Sequence, residues 1–180
     1  MNTALASAYD RLTRDNTALL LVDPQVGPLW ELEAAELRRQ ITNLARVARR
    51  LGLPTIVTTI AYDELGPIIP ELSFDDSDRS VVERLVGNAW TESRVRQAVA
   101  TTGRKKLVVA GSVADVGVAP CAIAAAEDGF EVYAPILSKP ANHHAVQRML
   151  EAGVIVTTFR LLDFELSRGD VRSRVLQLRR

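Results

Sequence analysis

Thr17-Ala-Leu-Leu-Leu-Val22 is continuously apolar after its first residue and stops abruptly at Asp23-Pro24. An uninterrupted apolar run this short, closed by turn residues, reads as a strand buried on both faces, which is the habit of parallel sheets. Outward from it, Glu31 to Leu51 carries Leu37, Ile41, Leu44, Val47, Ala48 and Leu51 at helical spacing. Gly52 and Pro54 close that amphipathic helix. TIVTTI (55–60), rich in β-branched residues, predicts a second strand, and the turn-rich Tyr62 to Arg79 predicts a long connection of the kind that borders sites. The pattern then alternates: helix Thr91 to Thr102, strand Lys106 to Ala110, alanine-rich helix Val116 to Glu127 ended by Gly129, strand Phe130 to Ala134. Helix His143 to Ala152, strand Val154 to Thr158 and helix Leu161 to Ser167 follow. Parallel neighbours need crossovers long enough to hold a helix, so the expectation is an α/β protein: a three-layer α/β/α sandwich with a mostly parallel, about six-stranded sheet.

Composition narrows what such a sheet serves. The chain has 180 residues, 47% of them hydrophobic, enough for one sizeable core, and no repeat or linker divides residues 1–180. Charged residues amount to 24% and cancel to a formal net charge of zero, so no broad positive field draws nucleic acid or an anionic membrane. The single cysteine, Cys121, excludes an internal disulfide and fits a reducing, cytoplasmic setting. No apolar stretch approaches the roughly 20 residues that span a bilayer.

Open parallel sheets bind ligands outside the carboxyl ends of their strands. That rule selects Asp23, the segment Gly111 to Gly117 and the segment Leu137 to Asn142, and it places Lys105 and Lys106 on the opposite, solvated rim. Asp23 is there as a general acid or base in a water-poor cleft, or as a cap of the turn that follows. Pro120 is tolerated only in a first helical turn, so its helix should begin near Val116 or Gly117 with free N–H groups facing the mouth. His143 and His144, about 100° apart on a helix, read as a solvated helix start rather than a metal pair.

LLLVDPQVG around Asp23, GNAW at 87–90, TGRKKLVVAGSVADVGVAPCAIAAAEDGFEVY at 102–133 and QRMLEAGVIVTTF together resemble the isochorismatase-like hydrolase superfamily, closest to its bacterial cysteine-hydrolase branch. The resemblance implies a Rossmann-like sandwich, frequent homo-oligomers, and hydrolysis of small amides, imides or vinyl ethers. It also implies an aspartate, a lysine and a cysteine at the site. Asp23 matches the first. The nucleophile position holds Gly117, and Cys121 lies four residues on, about 6 Å along the axis. The lysine segment reads VERLVGNAW, with Arg84 nearest the expected place, Lys139 a weaker substitute, and Leu137 where the family commonly has an aspartate. Arginine pairs with a carboxylate but stays protonated.

The candidate site is therefore Asp23 and Arg84 as catalytic residues, with Gln25, Asn88, Trp90, Val113, Ala114, Gly117 and Cys121 around the substrate. The resemblance adds a non-proline cis peptide between Val113 and Ala114 and, since the loop AYDELGPIIPEL lacks histidine, no catalytic metal and no cofactor. Three accounts are open: a cysteine-free, aspartate-dependent hydrolase, a binding or assembly subunit, and a thiol enzyme using Cys121. The basic end RSRVLQLRR reads as a solvated or subunit-contacting tail.

Overall fold

The computed structural model describes residues 12–29, 34–72, 79–136 and 143–167. Its strands are β1 (Thr17–Val22), β2 (Thr55–Ile60), β3 (Arg79–Arg84), β4 (Lys106–Gly111), β5 (Glu131–Ile136) and β6 (Ile155–Thr158). They form one sheet in the order β3-β2-β1-β4-β5-β6, with every pairing parallel. The helices are α1 (Ala35–Leu51), α2 (Tyr62–Leu65), α3 (Ser93–Thr101), α4 (Ala119–Glu127), α5 (His143–Glu151) and α6 (Phe159–Leu166). Strand order reverses between β1 and β4, so the crevice expected to hold a ligand opens beside Val22 and Gly111.

β1 shows why the sheet has helices on both faces. Ala18, Leu20 and Val22 point into one core with residues of α3, α4 and α5, while Leu19 and Leu21 point into the other with α1 and α6. All six β1 residues are buried, so the apolar run of the sequence is a consequence of two-sided packing. Gly52 closes α1 in the left-handed region at φ 68°, with its N–H on Arg49 O. Gly111 serves closeness instead: a Cβ there would stand 2.2 Å from Val22 O, so only glycine lets β4 end against β1.

The long connection expected at Tyr62 to Arg79 holds α2 and a 3-10 turn at Pro70–Leu72, and it leads into Arg79–Arg84, a strand at the sheet edge that the sequence pattern did not indicate. Two expectations need correction. The helix expected from Val116 starts earlier, with a π-helical turn at Ala114–Val118 running into α4. Lys106 is buried, not solvated: its ammonium pairs with Glu131 at 2.8 Å and stands 5.9 Å from the centre of the Tyr133 ring. No helix among the described residues is long and apolar enough to cross a membrane. Leu137, Lys139, the basic end and the start of the helix expected from Glu31 lie outside the described residues.

Candidate active site

The chain leaves β1 through a backbone conformation that side chains seldom adopt. Asp23 sits at φ 50°, in the left-handed region, which aspartate tolerates better than most residues. Its neighbours hold it there. The Asp23 N–H donates to Thr58 O at 3.2 Å, and Ser112 Oγ donates to Asp23 O at 2.6 Å. β2 and the end of β4 thus clamp the turn from both sides and aim the carboxyl at the crevice.

Both carboxylate oxygens are engaged. Thr58 Oγ1 donates to Oδ1 at 2.8 Å, and the Arg84 guanidinium donates through Nη2 to Oδ2. Arg84 is wholly buried; its Nη1 donates to Val86 O, and its Nε has no hydrogen-bond partner among the described residues. Burial pushes the Asp23 carboxyl above its ordinary value, while the Arg84 charge and the Thr58 and Arg84 hydrogen bonds oppose that shift without cancelling it.

A pocket of about 190 Å³ opens over this carboxyl, lined by Pro28, Ile60, Leu65, Val113 and Val116 among others, with Gly87, Ser112 and Gly117 completing it. The volume is below the roughly 300–1,000 Å³ of drug-sized sites, which limits the ligand to a small molecule. Its walls are mostly apolar, so Asp23 is the principal ionisable group a ligand meets.

Of the residues singled out in the sequence, Asp23, Val113 and Gly117 line the pocket. Ala114 belongs to the π-helical turn beside it. Gly117 does not offer a free N–H, because that group and the N–H of Val118 both bond Val113 O. Arg84 is buried beneath the pocket, on the Asp23 carboxyl. The other four do not line it. Gln25 is fully buried and ties Gly66 O to the N–H of Ile60. Asn88 caps the turn at Trp90 and donates to Pro120 O. Trp90 packs edge-on against Phe130, with its indole N–H on Asp128 at 2.7 Å. Cys121 is fully buried, and its thiol is pushed up to about 12 by desolvation. The two histidines are exposed, and no group of three or more metal-ligating side chains gathers among the described residues.

Sequence reasoning selected the segment Gly111 to Gly117, which contains Ser112 and Val116, without naming either as a site residue; it missed Thr58, which holds Asp23, and the pocket walls Pro28, Ile60 and Leu65. Thr58 had a signal: it stands in the β2 strand that reaches the same sheet end as Asp23. Leu65 had a general one, since it stands in the long connection expected to border a site; Pro28 had none, because its place depends on how the loops after β1 and β2 meet.

The fold is thus a parallel α/β sandwich whose small apolar pocket lies over one buried carboxyl, at the reversal of strand order where such sheets hold ligands. The particular family follows from comparison. Residues 17–159 match the model of the Isochorismatase domain. Over 174 residues the chain is 33% identical to "Probable hydrolase YcaC" of Escherichia coli (strain K12), covering 91% of this chain and 84% of that protein. The crystal structure of the E. coli YcaC gene product, described as an octameric hydrolase of unknown specificity, superposes with a TM-score of 0.83 at 34% identity, covering 94% of this chain and 88% of the other. YcaC from Pseudomonas aeruginosa, solved with hexane-2,5-diol and covalent acrylamide, gives 0.82 at 33% identity, covering 91% and 88%. The chain belongs to the isochorismatase-like hydrolase superfamily.

Proposed function

We propose that this chain hydrolyses a small amide, imide or vinyl-ether substrate by proton transfer at Asp23, with no covalent thiol intermediate. The observation that carries the reading is that a buried carboxyl, whose hold on a proton is strengthened by desolvation, lines one small pocket together with the bare backbone of Gly117. Protonated Asp23 gives its proton to the substrate as the scissile bond polarises, a water adds to the electrophilic carbon, and the proton released by that water returns to the carboxylate. Arg84 keeps its charge throughout and steadies the carboxylate in the interval between the two transfers. The fully buried Cys121, with its thiol held protonated, gives no nucleophile. The octameric E. coli relative supports a homo-oligomeric assembly, and the lone unpaired cysteine fits a reducing compartment such as the cytoplasm.

One observation favours a second reading, a binding subunit without catalysis: Thr58 and Arg84 occupy both oxygens of Asp23, leaving the carboxyl fewer lone pairs for a substrate. A panel of small amides, imides and vinyl ethers, run with wild type and Asp23→Asn, separates the two. Turnover lost in the folded variant supports the hydrolase, whereas ligand binding without turnover by either protein replaces it with the subunit.

A further inference from the structure

A parallel sheet needs cover on both faces, and β3 has it on one. Val82 and Arg84 point into the core that contains Val95 and Val99 of α3. On the opposite face the β2–β3 crossover contributes only α2 and the Pro70–Leu72 turn among the described residues. Val81 remains 47% exposed there, and Leu85, just past the strand, 92%. Between this face and α2 runs an open groove of about 620 Å³, lined by Ile60, Ala61, Tyr62, Asp63, Glu64, Glu83 and Leu85. Its three carboxylates pair with no base among the described residues. Arg94, the neighbouring cation, donates to the backbone oxygen of Glu83 and to the Glu92 carboxylate. The groove is apolar at Tyr62 and Leu85 and negative at its sides.

We propose that this groove receives the C-terminal segment, residues 168–180, of a second copy of the chain. The segment RGDVRSRVLQLRR carries five arginines against one aspartate, with Val175, Leu176 and Leu178 among them. Basic and apolar groups in one short stretch match the charge and the bare apolar surface of the groove. The geometry favours a second copy as the source. Ser167, from which the segment departs, is held by Arg50 at 3.0 Å, at the end of α1 that leads into the amino end of β2. The groove lies at the carboxyl ends of β2 and β3, so a chain's own segment must run back along the full height of its sheet. Ile60 lines both the groove and the Asp23 pocket, so a docked segment lies beside the pocket mouth. The inference rests on the homo-oligomeric part of the functional reading and is independent of whether Asp23 catalyses.

The test uses the full chain carrying Leu85→Cys together with Leu178→Cys, oxidised with diamide and run on a non-reducing gel beside each single variant, with light scattering on the unoxidised protein. Disulfide-linked dimers and higher multiples, absent from the single variants, are expected. A product of monomer mass with an internal disulfide would overturn the second copy as the source. Absence of any crosslink in a protein that light scattering finds assembled overturns the docking itself, whereas a monomer in light scattering overturns the homo-oligomer reading beneath it. Asp63→Lys with Glu83→Lys is expected to raise the dissociation constant of the assembly about tenfold or more, since like charges face each other. Adding Arg172→Glu with Arg174→Glu is expected to restore it, and failure of that rescue rejects the charge pairing.

Discussion

Arg84 reaches Asp23 across an intervening strand. Arg84 ends β3 at the sheet edge, Asp23 follows β1, and β2 lies between them, carrying the Thr58 hydroxyl that bonds the same carboxylate. Three adjacent strands therefore converge on one carboxyl, and the floor of the pocket is held by the order of the sheet rather than by any single loop. The arrangement also leaves a polar cost, because the buried Arg84 Nε finds no partner among the described residues.

That cost sets a stability prediction. At a pH where Asp23 is ionised, Arg84→Met leaves its carboxylate buried without a cation, and breaking a buried ion pair from one side typically costs about 3–5 kcal/mol. Asp23→Asn added to Arg84→Met is expected to recover most of the loss, since replacing both charges is often nearly neutral and also removes the orphaned Nε. Urea midpoints of the four proteins check this. Equal losses in the single and double variants would mean that Arg84 contributes packing and not charge.

Asp23 also predicts a pH dependence. Its folded-state value is raised above 3.8, first by desolvation, so the folded protein holds this proton more tightly than the unfolded chain does. The stabilisation from the protonated form is complete below 3.8 and is lost as pH rises through the folded value. Wild-type stability minus that of Asp23→Asn should fall with increasing pH across that window, read from urea titrations between about pH 4 and about pH 8. Turnover that needs the protonated carboxyl should decline over the same window, and a rate that climbs there instead would assign Asp23 the role of base.

The fold was legible where packing leaves one pattern and obscure where it leaves two. β1 is buried on both faces and shows as an unbroken apolar run. β3 (RSVVER) is an edge strand with one face uncovered among the described residues; its two valines stand side by side between charged and polar residues, so no apolar run marks it and the stretch resembles its turn-rich approach. Lys106 misleads for a related reason: the rim rule places it correctly at the amino end of β4, but Glu131 directly across the ladder draws the ammonium inward. At the site, Asp23 and Gly117 could be read from strand ends and helix spacing. Trp90, Asn88, Gln25 and Cys121 could not be assigned that way, because proximity in sequence to a site does not say which side of the backbone faces it.

Cys121 should be chemically silent. Its thiol, raised to about 12 by burial, is almost entirely protonated near neutrality, and no surface reaches it. Iodoacetamide at about pH 8 should label the protein only after unfolding. Cys121→Ser should leave any turnover intact while lowering stability by about 1–3 kcal/mol, the cost of burying a hydroxyl. Rapid labelling of the folded protein, or loss of turnover in a folded Cys121→Ser, would restore the thiol account.

Gly111 and Gly117 border the same crevice but are glycines for different reasons, and alanine separates them. At Gly111 a Cβ would fall 2.2 Å from Val22 O, backbone against backbone, so Gly111→Ala should disrupt the β1–β4 junction and lower stability sharply. At Gly117 the Cβ would meet only Val22 Cγ1 at 3.4 Å, an ordinary contact, and φ is not in the left-handed region. The fold does not require a glycine there, and alanine in a helical turn should be neutral or stabilising by up to about 1 kcal/mol. Gly117 and Asp23 line the same pocket, so a methyl added at Gly117 stands at the pocket wall where a ligand would meet it. Gly117→Ala should therefore raise the melting temperature or leave it unchanged while raising KM or Kd for whichever ligand the panel identifies. If affinity is untouched, the bare backbone at Gly117 is not part of the binding surface, and the pairing with Asp23 on which the functional reading rests would have to be abandoned.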